Sequence, residues 1–114
     1  RQSLQVMTGT MVTKLIMRDG AAVGVAAEQH GQSHIFSARA EIILAAGAIG
    51  SPHILQLSGI GPGALCQSHG IETVCDQPNV GQHPRVRGIE CRGRLESDLA
   101  ISPYFVGQKC VAKL

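Results

Sequence analysis

Aromatic residues are scarce. They make up 3% of the 114 residues, with no Trp, one Tyr and two Phe, so any core here is mostly aliphatic and Ala-rich. No aromatic box for a quaternary ammonium group is visible, since Tyr104 is the only Tyr. Charge is scarce too, at 16% of residues with a net +2, which points to neither nucleic acid nor an anionic membrane as partner. No apolar run approaches the ~20 residues of a membrane span, and no signal-peptide pattern is visible. The four cysteines, Cys66, Cys75, Cys91 and Cys110, form no C-x-x-C. They read as reduced thiols, with a disulfide or metal framework as the alternative. No G-x-S-x-G is present, so a Ser-His-Asp site has no nucleophile elbow. Internal repeats and low-complexity segments are also missing.

What remains is globular in composition, with 44% hydrophobic residues. The length suits one small domain. Residues 4–8 read as a strand. Residues 10–17 read as a second, with Met11, Leu15 and Met17 on one face and Val12 and Ile16 on the other. Asp19-Gly20 supplies the positive φ of a tight hairpin, and Ala22 to Glu28 follows as a strand. A turn at 29–32 leads to another strand over Ser33 to Ala38. The result is a β-meander. His30 and His34 fall in this hairpin context, which argues against a helical metal-binding pair.

The stretch from Glu41 to Gly61 organises the rest. Ile42, Ile43 and Leu44 read as a buried strand, and a fully apolar strand fits a parallel sheet covered on both faces. Small residues follow: Ala45, Ala46, Gly47, Ala48 and Gly50. Ser51 is placed to cap a short helix, Pro52 to take its first position and Gly59 to end it. Small residues before a helix start let a ligand approach the backbone, and the helix N-terminus favours negative charge. A tightly packed strand-to-helix turn would need the same residues. Gly59, Gly61 and Gly63 have the spacing of part of a dinucleotide loop, but they follow a helix where that fingerprint needs a strand.

After Gly61, Pro62 to Gly70 reads as a second helix, started by Pro62 and stopped by Gly70. Ile71 to Cys75 reads as a short strand and Gln77-Pro78-Asn79 as a turn. Val86 to Leu95 alternates weakly, as a strand would. From Ser97 a loop is expected, then a helix from near Pro103.

Gly47-Ala48, Ser51-Pro52, Ile54-Leu55 and Ser58-Gly59-Ile60-Gly61 together resemble the second signature of the glucose–methanol–choline (GMC) family of FAD-dependent alcohol oxidoreductases. The segments 4–8 and 11–15, Val23-Gly24-Val25, and the run from Gly70-Ile71 to Pro78-Asn79-Val80-Gly81-Gln82 resemble other parts of that family. Most of the resemblance lies within residues 4–82. After Gln82 the family usually runs Asn-Leu-x-Asp-His, whereas this chain has His83-Pro84-Arg85-Val86-Arg87.

The resemblance implies an α/β fold, α+β in this segment. It would be part of a Rossmann-like FAD-binding domain with an inserted meander over residues 1–85. Residues 86–114 would begin the substrate-side region. It implies FAD as cofactor, with the Val12 main chain pairing to the adenine edge and Ala46 and Gly47 against the ribose and pyrophosphate. By residue type alone, Val12 is an ordinary core aliphatic. No residue here matches the family's catalytic histidine, so none is assigned a catalytic role, and no metal ligand is assigned.

The expected function is that of an internal piece of an enzyme that oxidises a small alcohol to an aldehyde, choline being one option. Oxygen or a quinone would accept the electrons. The pyrophosphate-binding G-x-G-x-x-G and the base would lie outside this chain, leaving the piece alone inactive and poorly stable or oligomeric. Compartment is left open between cytoplasm and membrane periphery. The alternative is a small non-enzymatic αβ binding or assembly module derived from such an enzyme.

Overall fold

A computed structural model describes residues 4–82 and, for backbone alone, 85–86, 89–90 and 110–113. The chain runs β1 (Thr10–Arg18), β2 (Ala21–Gln29), β3 (Gln32–Ser37), β4 (Glu41–Leu44), α1 (Gly47–Leu57), β5 (Ile60–Gly61), α2 (Gly63–Ser68) and β6 (Cys75–Asp76). The short strands β7 (Arg85–Val86), β8 (Ile89–Glu90) and β9 (Cys110–Lys113) complete it.

β1, β2 and β3 form the expected meander, an antiparallel sheet in that order. Both turns are set by residues with positive φ: Asp19 and Gly20 in the first, His30 and Gly31 in the second. Two successive positive-φ residues match the right-handed twist of the flanking strands, which is why two-residue hairpins favour them. β2 is the central strand, and Gly24 within it faces the β3 backbone. A Cβ at Gly24 would lie 2.6 Å from the Phe36 carbonyl oxygen.

Several expectations need correction. Residues 4–8 are not a strand. Leu4 and Val6 are exposed, and the segment is held instead by Gln29 Nε2 donating to the Thr8 carbonyl at 2.9 Å. Alternating apolar residues do not make a strand without a neighbour to pair with.

The face assignment in β1 is also different. The register with β2 shifts between Val12 and Lys14, leaving Thr13 as a bulge. One extra residue flips the side-chain parity. Val12 therefore joins Leu15 and Met17 on the core side, and Met11 is exposed.

β4 is not buried, and it pairs antiparallel with β9. Ile43 keeps 48% of its surface open. The helix starts at Gly47, four residues before Ser51, and Pro52 lies inside it. Further on, only Cys75 of the expected strand over 71–75 falls in a strand, β6 (Cys75–Asp76), which pairs parallel with β5.

α2 forms as expected, between Pro62 and a Gly70 at φ +70. The Gly63 amide at its start donates to Asp76 Oδ1 at 2.9 Å. The turn near Pro78 closes through Val80 N–H to the Gln77 carbonyl at 3.1 Å. Gln56 of α1 holds that turn by donating Nε2 to the Val80 carbonyl at 3.1 Å. In the region expected as one strand over 86–95, β7 and β8 form an antiparallel pair. The expected loop and helix after Ser97 lie outside the described residues, except for β9.

Leu15 of β1, Val25 of β2 and Ile54 of α1 form the buried cluster, so α1 packs on the meander. Val12, Phe36, Leu44, Ala46 and Leu55 surround it. Ile54 is completely buried. Burying a side chain of that size contributes about 1.5–3 kcal/mol.

Candidate cofactor site

The candidate site is the turn from β4 into α1. Gly47 has φ +85, a conformation that costs any residue with a Cβ. A Cβ built at Gly47 would meet nothing within 4 Å. The backbone conformation, and not crowding by the protein, calls for glycine here, and the space in front of the backbone is open. Ala45, Gly47 and Ala48 are exposed.

The start of α1 is chemically bare. Its N-cap is Ala46, with no side-chain cap bond, and the first turn holds no acidic residue. The first amides of a helix have no partner within it, and the helix dipole places partial positive charge there. Ser51 does not cap the helix. Its Oγ accepts from the Ala46 amide at 3.0 Å, which ties the residue before the turn back to the helix. An open glycine turn with free amides and no acid suits an anionic pyrophosphate, so the residues fit that part of a dinucleotide at this position.

Val12 and Ala46 converge. Both pack against the Leu15–Val25–Ile54 cluster, from β1 and from the β4–α1 turn respectively. Val12 is half-buried, and its strand is the edge of the meander. An apolar side chain turned to the core leaves the main chain of an edge strand as the group that can read a ligand. Gly47, next to Ala46, faces outward.

Two side chains to which sequence reasoning assigned no role lie on α1 and at its C-cap. His53 is buried at 9% exposure, and its Nε2 has no hydrogen-bond partner. Burial pushes its pKa below the ordinary histidine value, because the charged form loses its water. Gly50, His53 and Ile54 are the buried residues of α1, at helical spacing, and that spacing was the available signal.

The other is Ser58, also buried. Its Oγ accepts from the Leu15 amide at 2.7 Å and donates to the Ile54 carbonyl. Among the described residues no group of three or more His, Cys, Asp or Glu side chains is placed to hold a metal ion. Nor is any described helix long and apolar enough to cross a membrane.

Residues 1–92 match the family profile described as GMC oxidoreductase. The chain is 42% identical over 81 residues to patulin synthase of Penicillium expansum, covering 71% of this chain and 13% of that protein. It is 40% identical over 83 residues to the oxygen-dependent choline dehydrogenase of Photobacterium profundum, covering 73% of this chain and 15% of that protein.

Among solved structures, an FAD-dependent oxidoreductase from Chaetomium thermophilum superposes with a TM-score of 0.65 at 40% identity, over 68% of this chain and 14% of that one. Pyridoxine 4-oxidase from Mesorbium loti superposes with a TM-score of 0.64 at 30% identity, over 68% and 15%. The chain thus spans about a seventh of the length of the relatives it matches. The fold is that of an α/β, Rossmann-like FAD-binding region. On the match over residues 1–92, the chain belongs to the GMC oxidoreductase family.

Proposed function

We propose that this chain is a segment of an FAD-dependent oxidoreductase that oxidises a small alcohol to an aldehyde. The observation that carries the reading is the Gly47 turn: positive φ, open space at the missing Cβ, and a bare helix start behind it. Ala46 and Gly47 hold the ribose and pyrophosphate, and the Val12 main chain pairs with the adenine edge. FAD, when bound, supplies the acceptor for the hydride that leaves the alcohol carbon.

The residues of this chain bind and orient. The free amides at the start of α1 offset the pyrophosphate charge, and the Leu15–Val25–Ile54 cluster beneath keeps Val12 and Ala46 in fixed relation. The base that takes the hydroxyl proton comes from outside this chain, as does a glycine-rich loop for the other side of the pyrophosphate. The name of the choline dehydrogenase relative carries an oxygen-dependent activity, which supports oxygen over a quinone as the final acceptor.

The test is an absorbance scan of the longer protein that carries this chain, followed by anaerobic mixing with a panel of primary alcohols that includes choline. The expected result is a yellow protein whose flavin bands bleach with one of them. A colourless product that takes up no added FAD would overturn the reading and leave the non-enzymatic module.

A further inference from the structure

We propose that Ser58 is a positioning residue for the dinucleotide: its hydroxyl clamps the edge of β1 to the end of α1, fixing the spacing between the Val12 main chain and the Gly47 turn. The inference rests on the functional reading above and assigns a role that reading leaves open.

The geometry is a frame with two joints. α1 carries the Gly47 turn at one end and ends at Ser58, its C-cap residue. An eleven-residue helix is about 16 Å long and stiff. β1 carries Val12, and Leu15 lies three residues further on. Leu15 directs its amide to Ser58 Oγ at 2.7 Å. The same hydroxyl donates its proton to the Ile54 carbonyl one turn back. That bond fixes the hydroxyl's orientation and leaves a lone pair facing the Leu15 amide.

The clamp matters because β1 is an edge strand interrupted by a bulge at Thr13, immediately after Val12. A bulge loosens local pairing and lets the strand bend. The Leu15–Ser58 bond holds the strand just beyond that weak point. Without it, the Leu15 amide is a buried donor with no partner, and the outer edge of β1 is free to shift relative to α1. The Leu15–Ile54 packing would remain, but dispersion contacts are non-directional and set spacing less sharply than a hydrogen bond.

The experiment uses the full-length protein, stripped of flavin and titrated with FAD, for the wild type and for Ser58→Ala, Ser58→Cys and Cys66→Ala. Cys66 is buried in α2 outside the Leu15–Val25–Ile54 cluster, so Cys66→Ala weakens packing and leaves the clamp intact. Melting temperature is measured in parallel.

The expected result is a Kd for FAD raised roughly tenfold in Ser58→Ala, the loss appropriate to one buried hydrogen bond. Ser58→Cys, which keeps the shape with a weaker acceptor, falls between. Cys66→Ala keeps wild-type affinity despite a lower melting temperature. If Ser58→Ala does not fold, the Ser58→Cys and Cys66→Ala pair decides. Equal FAD affinity in the wild type and the Ser58 variants would overturn the positioning role alone. So would affinity losses that merely track melting temperature across all variants. A wild-type protein that takes up no FAD would overturn the functional reading, and this role with it.

Discussion

The Leu15 amide and the Ser58 hydroxyl meet at 2.7 Å, although the residues are 43 apart in the chain. Leu15 itself is 7% exposed and Ser58 likewise 7%, so the bond is sealed from water. It satisfies an outward-facing donor of an edge strand, a group that would otherwise invite pairing with another chain. The bond therefore serves both packing and specificity: it docks α1 on the meander and closes part of an open edge.

Gly59 follows Ser58 and closes the same corner. Its φ is +80, and a Cβ there would lie 2.2 Å from the Glu72 carbonyl oxygen. Its own carbonyl accepts from the Val74 and Cys75 amides at 2.8 and 3.1 Å. Gly59→Ala therefore meets backbone strain and a backbone clash together, with an expected cost of at least about 3 kcal/mol. Gly20 is the control: its φ is +76, but a Cβ there meets nothing within 4 Å. Gly20→Ala should cost only about 1–2 kcal/mol, the left-handed penalty alone. Denaturant unfolding of both variants checks this, and equal losses would refute the clash.

His53 sets a pH dependence with a definite sign. Its folded-state pKa is lowered by desolvation, while in the unfolded chain it stays near 6.5. Above the unfolded value both states are neutral and His53 contributes no slope. As pH falls through about 6.5, the unfolded chain binds the proton first, so stability drops until the lower folded-state pKa is passed. His53→Leu removes this slope. It also removes the buried, unpartnered Nε2, so stability at neutral pH should be unchanged or higher. Melting temperature measured from pH 8 to pH 5 tests it. The same acid-side decline in His53→Leu would show that other groups carry the effect.

The hairpins were legible because turn chemistry is local: Asp19-Gly20 and His30-Gly31 need nothing from elsewhere in the chain. The bulge at Thr13 was not, since a Thr in a strand carries no sign of being bulged, and it is revealed only by pairing with β2. The start of α1 was misread because Ser51-Pro52 has the pattern of a cap and first position. In the structure Ser51 reaches back to Ala46 instead. The non-local terms explain the other differences. Residues 4–8 lack a partner strand, and β4 has β9 as a partner, which no neighbouring residue could announce. The expected site residues came from the resemblance. The structure adds the shared cluster under Val12 and Ala46, and it adds Ser58, whose bond to Leu15 spans too much sequence to be seen in it.

Cys66 and Cys75 are both free thiols but in opposite settings. Cys66 sits in α2 at 1% exposure, and burial pushes its pKa up, with the charge of Asp76 adding to the shift. Cys75, in β6, is exposed. The thiolate is the reacting form, so Cys66 is protected twice, by access and by protonation. Pulse alkylation of the native protein at pH 8, read by peptide mass mapping, should label Cys75 within the pulse and leave Cys66 unmodified. Adding denaturant before the pulse should bring the two to similar labelling. Asp76→Asn removes the nearby charge but leaves the burial. Because desolvation is the larger cause, Cys66 should stay protected in that variant while the fold holds. Rapid native labelling of Cys66 would place α2 in frequent local opening, with its contact to the end of α1 broken on the timescale of the pulse.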